Sequence, residues 1–234
     1  MPIVFQHSWW FLAIFAKVIA RWLIPISSCL ACAIVCAQEL RFQHITTDDG
    51  LSDNAITCIY EDVDGYIWIG TERGLNRYDG QRVERFMAAP DGLGGEHISC
   101  IAEDSRGDLW VTTADGGLSR RERTSGRFAQ VRCDSLNARC PPADLNHVLV
   151  VDDSLLVLCS RGSGAIWYHM RRGVVQRRGF RGRLVNDKGD TTWRSEDNWS
   201  HRALRLDDER LWLPMLRSGG SYIVDAHSGD PLVE

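Results

Sequence analysis

The sequence has no surplus of positive charge: 27 Lys and Arg stand against 31 Asp and Glu, a formal charge of −4 over 234 residues. That balance argues against nucleic acid as a partner, because a phosphate backbone asks for a basic face. Neither charge nor apolar content is low, at 25 % and 44 %, so a disordered or collagen-like chain is excluded too. Acid is missing altogether from residues 1–37, where Lys17 and Arg21 are the only Lys or Arg. Among the five cysteines beyond residue 37 no pair has CxxC spacing, so neither a zinc site nor a thioredoxin-type centre is expected. Beyond the same point no stretch carries a 3.6-residue apolar period of useful length, which excludes a helical domain. Present in strength are 9 Trp and 21 Gly, a composition of turns and aromatic packing.

Residues 1–37 read as an address. Arg21 is followed by an uncharged run over 22–37 that ends in Val35-Cys36-Ala37, the layout of a secretory signal cleaved before Gln38. Two other readings stand beside it. Ile26-Ser27-Ser28-Cys29 loosely resembles a lipobox, and the run is near the lower length limit of an uncleaved membrane anchor. In all three the remainder, 38–234, leaves the cytoplasm. That remainder carries 25 basic and 31 acidic groups and an odd number of cysteines, Cys58, Cys100, Cys133, Cys140 and Cys159. In an oxidising compartment an odd count leaves at least one free thiol or an intermolecular bond. Cys133 and Cys140 bracket a polar loop and form the candidate disulfide.

Self-similarity organises the rest. Gly50-Leu51, Ile56, Cys58 and Ile59 recur 42 residues later as Gly92-Leu93, Ile98, Cys100 and Ile101. The register continues from Asp62 to Asp104, Gly65 to Gly107 and Trp68 to Trp110; one inserted residue later, Gly74-Leu75 meets Gly117-Leu118. A further copy holds Asp207-Asp208 and Trp212, and the 102 residues between Trp110 and Trp212 leave room for a degenerate third. That third copy, with Asp152-Asp153 in its turn, reads as having lost its Trp and its tight turn. Repeats are expected at about 50–91, 92–143, 144–190 and 200–234. Within a unit, short apolar runs separated by Asp/Gly clusters read as four antiparallel strands, 55–60, 66–71, 75–78 and 83–86 in the first. Four strands in about 42 residues is the period of a β-propeller blade. The expectation is an all-β fold of about four blades in an incomplete ring.

Gly50-Leu51-Ser52-x-Asn54, Glu61-Asp62-x-x-Gly65-x-Ile67-Trp68-Ile69-Gly70-Thr71 and Gly74-Leu75-Asn76-Arg77-Tyr78-Asp79 together resemble the two-component regulator propeller repeat. The second copy departs with Thr112-Thr113 in place of Gly70-Thr71, and the third and fourth copies are weak. The resemblance implies a periplasmic sensor propeller at the front of a membrane receptor, whose histidine kinase or diguanylate cyclase output would lie downstream. It also implies a small-molecule or glycan ligand. The chain is expected to be an interrupted input portion, touching the membrane only through an N-terminal anchor or a missing downstream segment. Open sheet edges of its first and last blades would invite self-association. A stand-alone secreted binding module, or a propeller hydrolase or lyase, is the alternative.

Individual residues favour structural roles. Gly50, Leu51, Asp62, Gly65, Trp68, Gly74, Asp104, Gly107, Trp110, Gly117 and Trp212 mark the repeat, and periodic Trp fills the wedge between adjacent sheets better than it serves as a sugar platform. Asp62-Val63-Asp64-Gly65 offers two aligned carboxylates and no distal Glu, a hairpin turn rather than a calcium loop. Gly92-Leu93-Gly94-Gly95 lacks the Lys and the helix of a phosphate loop. Asn198-Trp199-Ser200 matches a glycosylation sequon by chance. Arg171, Arg172, Arg177, Arg178, Arg181 and Arg183 could meet an anion but read as a solvated hairpin. No nucleophile, base and orienter converge on a shared pattern. No catalytic residue, metal or cofactor is expected.

Overall fold

The computed structural model describes Lys17 and residues 42–131, 144–161, 164–172, 174–178, 182–185, 191–194, 202–214 and 221–233. Apart from Lys17 the leader lies outside the described residues, as do Cys133, Cys140, Arg181 and Asn198. The chain divides into two compact units, Met1–His44 and Ile45–Glu234, and the second carries every strand found among the described residues.

Four four-stranded antiparallel sheets follow one another, each with its strands in chain order. The first is β1 (Ile56–Glu61), β2 (Ile67–Thr71), β3 (Gly74–Tyr78) and β4 (Val83–Phe86). The second is β5 (Ile98–Glu103), β6 (Leu109–Thr113), β7 (Gly117–Arg121) and β8 (Phe128–Gln130). The third is β9 (Leu145–Val150), β10 (Leu155–Ser160), β11 (Gly164–His169) and β12 (Val174–Arg178). A separate hairpin, β13 (Gly182–Val185) and β14 (Thr191–Arg194), precedes the fourth sheet; sequence reading does not anticipate it. The fourth is β15 (Leu204–Arg205), β16 (Arg210–Pro214), β17 (Ser221–Asp225) and β18 (Pro231–Val233). These are four blades of a propeller, not closed into a ring.

The first hairpin shows why the strands begin and end where they do. The Asp62 N–H donates to the Tyr66 carbonyl, and Asp62 Oδ1 accepts from the N–H groups of Asp64 and Tyr66, at 3.0 and 2.9 Å. Gly65 closes the turn at φ +84°, a left-handed backbone that glycine adopts at little cost. Asp104 and Gly107 repeat the arrangement at φ +80°. Both first strands carry the same register irregularity, between Ile56 and Cys58 and between Ile98 and Cys100.

Side chains alternate faces along a strand, so each inner sheet gives one face to each neighbour. Trp68 and Leu75 of the first sheet pack with Ile98, Ile101, Leu109 and Val111 of the second. Trp110 and Leu118 then pack with Val148, Leu156, Leu158 and Tyr168 of the third. Val157, Ala165 and Trp167 pack with Leu211, Leu213 and Val224 of the fourth. The core is therefore three seams between sheets.

Candidate functional site

The residues singled out in the sequence fall at two places in each blade. Gly50 caps a 3-10 turn over Thr47–Asp49, and Leu51 after it is buried. The Ser52 N–H donates to Asn76 Oδ1 at 2.8 Å, while Asn76 Nδ2 donates to Ser52 Oγ and to the Ile69 carbonyl. This polar knot staples the incoming segment to β2 and β3, with Gly74 opening β3. In the second blade the Gly94 N–H donates to Ser119 Oγ at 2.8 Å, and Gly117 opens β7.

The other place is the hairpin. Trp68 Nε1–H donates to Asp62 Oδ2 at 2.6 Å, and Trp110 Nε1–H to Asp104 Oδ2 at 3.1 Å, all four residues being buried. One carboxylate thus holds both its turn and its indole. Across β2 and β3, Arg77 stands opposite Trp68 with its guanidinium carbon 5.8 Å from the ring centroid; Arg120 does the same to Trp110 at 5.6 Å. Asp62 spends its oxygens on backbone and indole donors, and Asp64 pairs with Arg123 at 2.5 Å across the seam.

Strand pairing corrects one reading of the later copies: the third has not lost its tight turn. All four first hairpins have the same length, which puts Val151 and Leu206, not Asp152 and Asp207, in the place of Asp62. Asp152 and Asp207 sit one residue later and accept from their own turns, and Asp152 also faces His227 of the fourth blade. Val157 takes the place of Trp68, but the third blade keeps its indole one strand over. Trp167 on β11 lies directly across from Val157, and its Nε1–H donates to the Ala226 carbonyl of the fourth blade at 2.8 Å. Trp212 does occupy the repeat position; it is only half-buried, and Leu206 supplies no acceptor for its N–H.

Polar ties cross the seams at the hairpin end. The carboxylate of Glu103 accepts from the Val63 N–H at 3.0 Å and from the Tyr60 hydroxyl at 3.4 Å. Its burial, followed by the nearby Asp62, raises its pKa above the usual carboxylate value against those hydrogen bonds. Ser105 donates to Asp153, Arg205 to the Val150 and Val151 carbonyls, and His227 lies 3.3 Å from Asp152. Burial, with Cys100 nearby, pushes the free Cys58 thiol up to about 12, so it is a packing group and not a nucleophile.

The same end of the third blade holds a cleft of about 350 Å3 lined by Ser154, His169, Arg171 and Arg172. Ser154 comes from the β9–β10 turn and the other three from the end of β11 and its turn into β12. The Met170 N–H donates to the Ser154 carbonyl at 2.8 Å and locks the turns together. Both arginines are exposed, and neither has an acidic partner among the described residues. The cleft gathers two members of the Arg run with an imidazole, cationic groups that suit an anion, while the Ser154 hydroxyl donates to Asp152 at 2.8 Å. Of the remainder, Arg177 and Arg178 lie on β12 and Arg183 on β13. Sequence reasoning missed Ser154 and His169. Among the described residues no three His, Cys, Asp or Glu side chains are placed to hold a metal.

The structure is similar to the extracellular domain of a hybrid two component system from B. thetaiotaomicron, with a TM-score of 0.64 at 20 % identity; the match covers 82 % of this chain and 26 % of that one. It is similar also to an auxiliary nutrient binding protein from Bacteroides ovatus, with a TM-score of 0.52 at 11 % identity, over 76 % of this chain and 40 % of that one. The chain thus spans about a quarter and two fifths of the solved chains it resembles. No curated protein matches it in sequence. Residues 50–73 and 92–115, which hold the Asp62–Trp68 and Asp104–Trp110 pairs, match the two component regulator propeller model.

Proposed function

We propose that the chain is the periplasmic, ligand-sensing propeller portion of a bacterial transmembrane signalling receptor. The two regulator-propeller repeats carry this reading. The likeness to the extracellular domain of a hybrid two component system agrees with it at the level of fold. The acid-free N-terminal run, with its signal layout, supports export. Among the described residues no helix is long and apolar enough to cross a membrane. The sensing step would be a population shift, in which a ligand preferring one arrangement of the propeller biases the output. The cleft beside Arg171 and Arg172 supports an anionic small molecule or acidic glycan fragment as ligand.

The test has two parts. Alkaline phosphatase fused behind residue 234 reports export, and an inactive fusion would overturn the periplasmic assignment. Thermal-shift screening of the full chain against uronic acids, sulfated sugars and phosphate reports binding. Stabilisation by an acidic ligand, lost in an Arg171→Ser/Arg172→Ser variant of unchanged melting temperature, is the expected result. Stabilisation that survives both substitutions would move the ligand away from this cleft.

A further inference from the structure

The turn between β9 and β10, which lines the cleft, is held from both sides. Ser105 of the second blade donates to Asp153, and Arg205 of the fourth donates to the Val150 and Val151 carbonyls. His227, in the turn between β17 and β18, places Nε2 3.3 Å from Asp152 Oδ2. The other oxygen of that carboxylate serves its own turn. Asp152 Oδ1 accepts from the Ser154 N–H at 2.6 Å and from the Ser154 hydroxyl at 2.8 Å. Ser154 lines the cleft, and its carbonyl accepts from the Met170 N–H at 2.8 Å, between His169 and the two arginines. A path of polar contacts thus runs from His227 through Asp152 and Ser154 to the arginine side of the cleft. Its far end is fixed too. The His227 and Ser228 N–H groups donate to Asp225 Oδ1 at 3.1 and 2.7 Å, and the Gly229 N–H donates to the Asp225 carbonyl at 2.9 Å. Two closed turns on adjacent blades therefore meet at one imidazole–carboxylate contact.

We infer that the His227–Asp152 contact couples the cleft to the fourth blade, so that filling the one and seating the turn of the other favour each other; this rests on the reading of the cleft as an anion site. The physical basis is shared ordering. Residues 151–154 and 169–172 must keep one arrangement for Arg171, Arg172 and His169 to face a single ligand. His227 holds that arrangement in advance, and a ligand that holds it presents Asp152 to His227. Whichever comes second finds the turns already ordered. The coupling is reciprocal, the same factor acting in both directions. His227 does not line the cleft, so it is a positioning residue. Its side chain and that of Asp152 are 56 % and 38 % exposed, which limits the factor to about two- to fivefold. Binding at one blade is felt at the next by this route.

Amide hydrogen exchange followed by NMR on the full chain tests this in wild type, His227→Ala and His227→Gln. Without ligand, the Ala variant is expected to exchange the Ser154 and Met170 amides about two- to fivefold faster. The Gln variant, whose amide nitrogen reaches about as far as Nε2, is expected to restore the wild-type rates. The Asp64 and Tyr66 amides of the first hairpin should be alike in all three and report an intact fold. With glucuronate as the probe, the Gly229 amide of the wild type is expected to slow. Glucuronate affinity should fall by the same factor in the Ala variant and recover in the Gln variant. Unchanged Ser154 and Met170 rates in the Ala variant would overturn the coupling, as would equal glucuronate affinity in wild type and Ala variant. A Gln variant no slower than the Ala variant would overturn it as well, by reducing the effect to lost bulk. Glucuronate that fails to bind the wild type would instead count against the anion reading of the cleft, and the ligand-free rates would still decide the coupling.

Discussion

The seams on either side of the second blade and the seam between third and fourth bury a tryptophan apiece, by different means. Trp68 and Trp110 satisfy their indole N–H inside their own sheet, on the Asp that also ties the preceding hairpin. Each ring is oriented before its neighbour arrives. Trp167 satisfies its N–H across the seam, on Ala226, so its polar end is complete only once the fourth sheet has docked. The first design makes blades that are finished alone and then stack. The second makes the bond part of the docking, and a buried donor left without it would carry a desolvation penalty of about 1–3 kcal/mol.

The largest effect belongs to Trp167→Ala, expected to cost about 3–5 kcal/mol through the cavity and the lost inter-blade bond. Limited proteolysis should then cut between the third and fourth sheets ahead of the rest. Cleavage rates rising equally throughout the chain would erase the distinction between the seams.

Asp104→Asn is expected to cost about 1.5–3 kcal/mol at neutral pH in urea unfolding, since hydrogen bonds to a charged group are lost. Burial alone would raise the pKa of Asp104, but the Trp110 N–H and Arg106 outweigh it and hold the carboxyl below 3.8. A depressed folded-state pKa gives stability that is present above the unfolded value and lost as pH falls through the folded one. The gap between wild type and variant should therefore close below pH 3.8. A gap that stays constant down to about pH 2 would contradict the Trp–Asp account.

Arg123→Ala tests the polar tie to Asp64 in the first seam. Both side chains are partly exposed, so the expected loss is under about 1 kcal/mol and shrinks further in high salt. A larger loss would mean that the seams lean on ion pairs more than on indoles.

The 42-residue offset, the turn glycines and the Asp–Trp spacing made the first two blades legible, because those side chains repeat within the chain. The third blade was legible only as strands. Its indole moved from β10 to β11, a step sideways across the sheet that changes the sequence position while keeping the face, and alignment along the chain cannot register it. The hairpin acids are a related case, their turns being legible but not their register. Asp152 and Asp207 still form turns, but shifted by one residue they leave the apolar Val151 and Leu206 where Asp62 stands, and Asp152 faces His227 instead of an indole. The cleft was half legible: Arg171 and Arg172 stand out as charge, whereas Ser154 and His169 join them only because two turns of one sheet meet at its end.

Since among the described residues each four-stranded sheet packs on the four-stranded sheets next to it in chain order, the array behaves as a row of coupled units whose stability is passed from one to the next. A unit with two neighbours opens only by breaking two couplings; a terminal unit breaks one. Amide protons of β5–β11 should accordingly outlast those of β1–β4 and β15–β18 by the worth of a whole seam, and the interior of the row, held from both sides, sets the ceiling on how firmly the molecule keeps its shape.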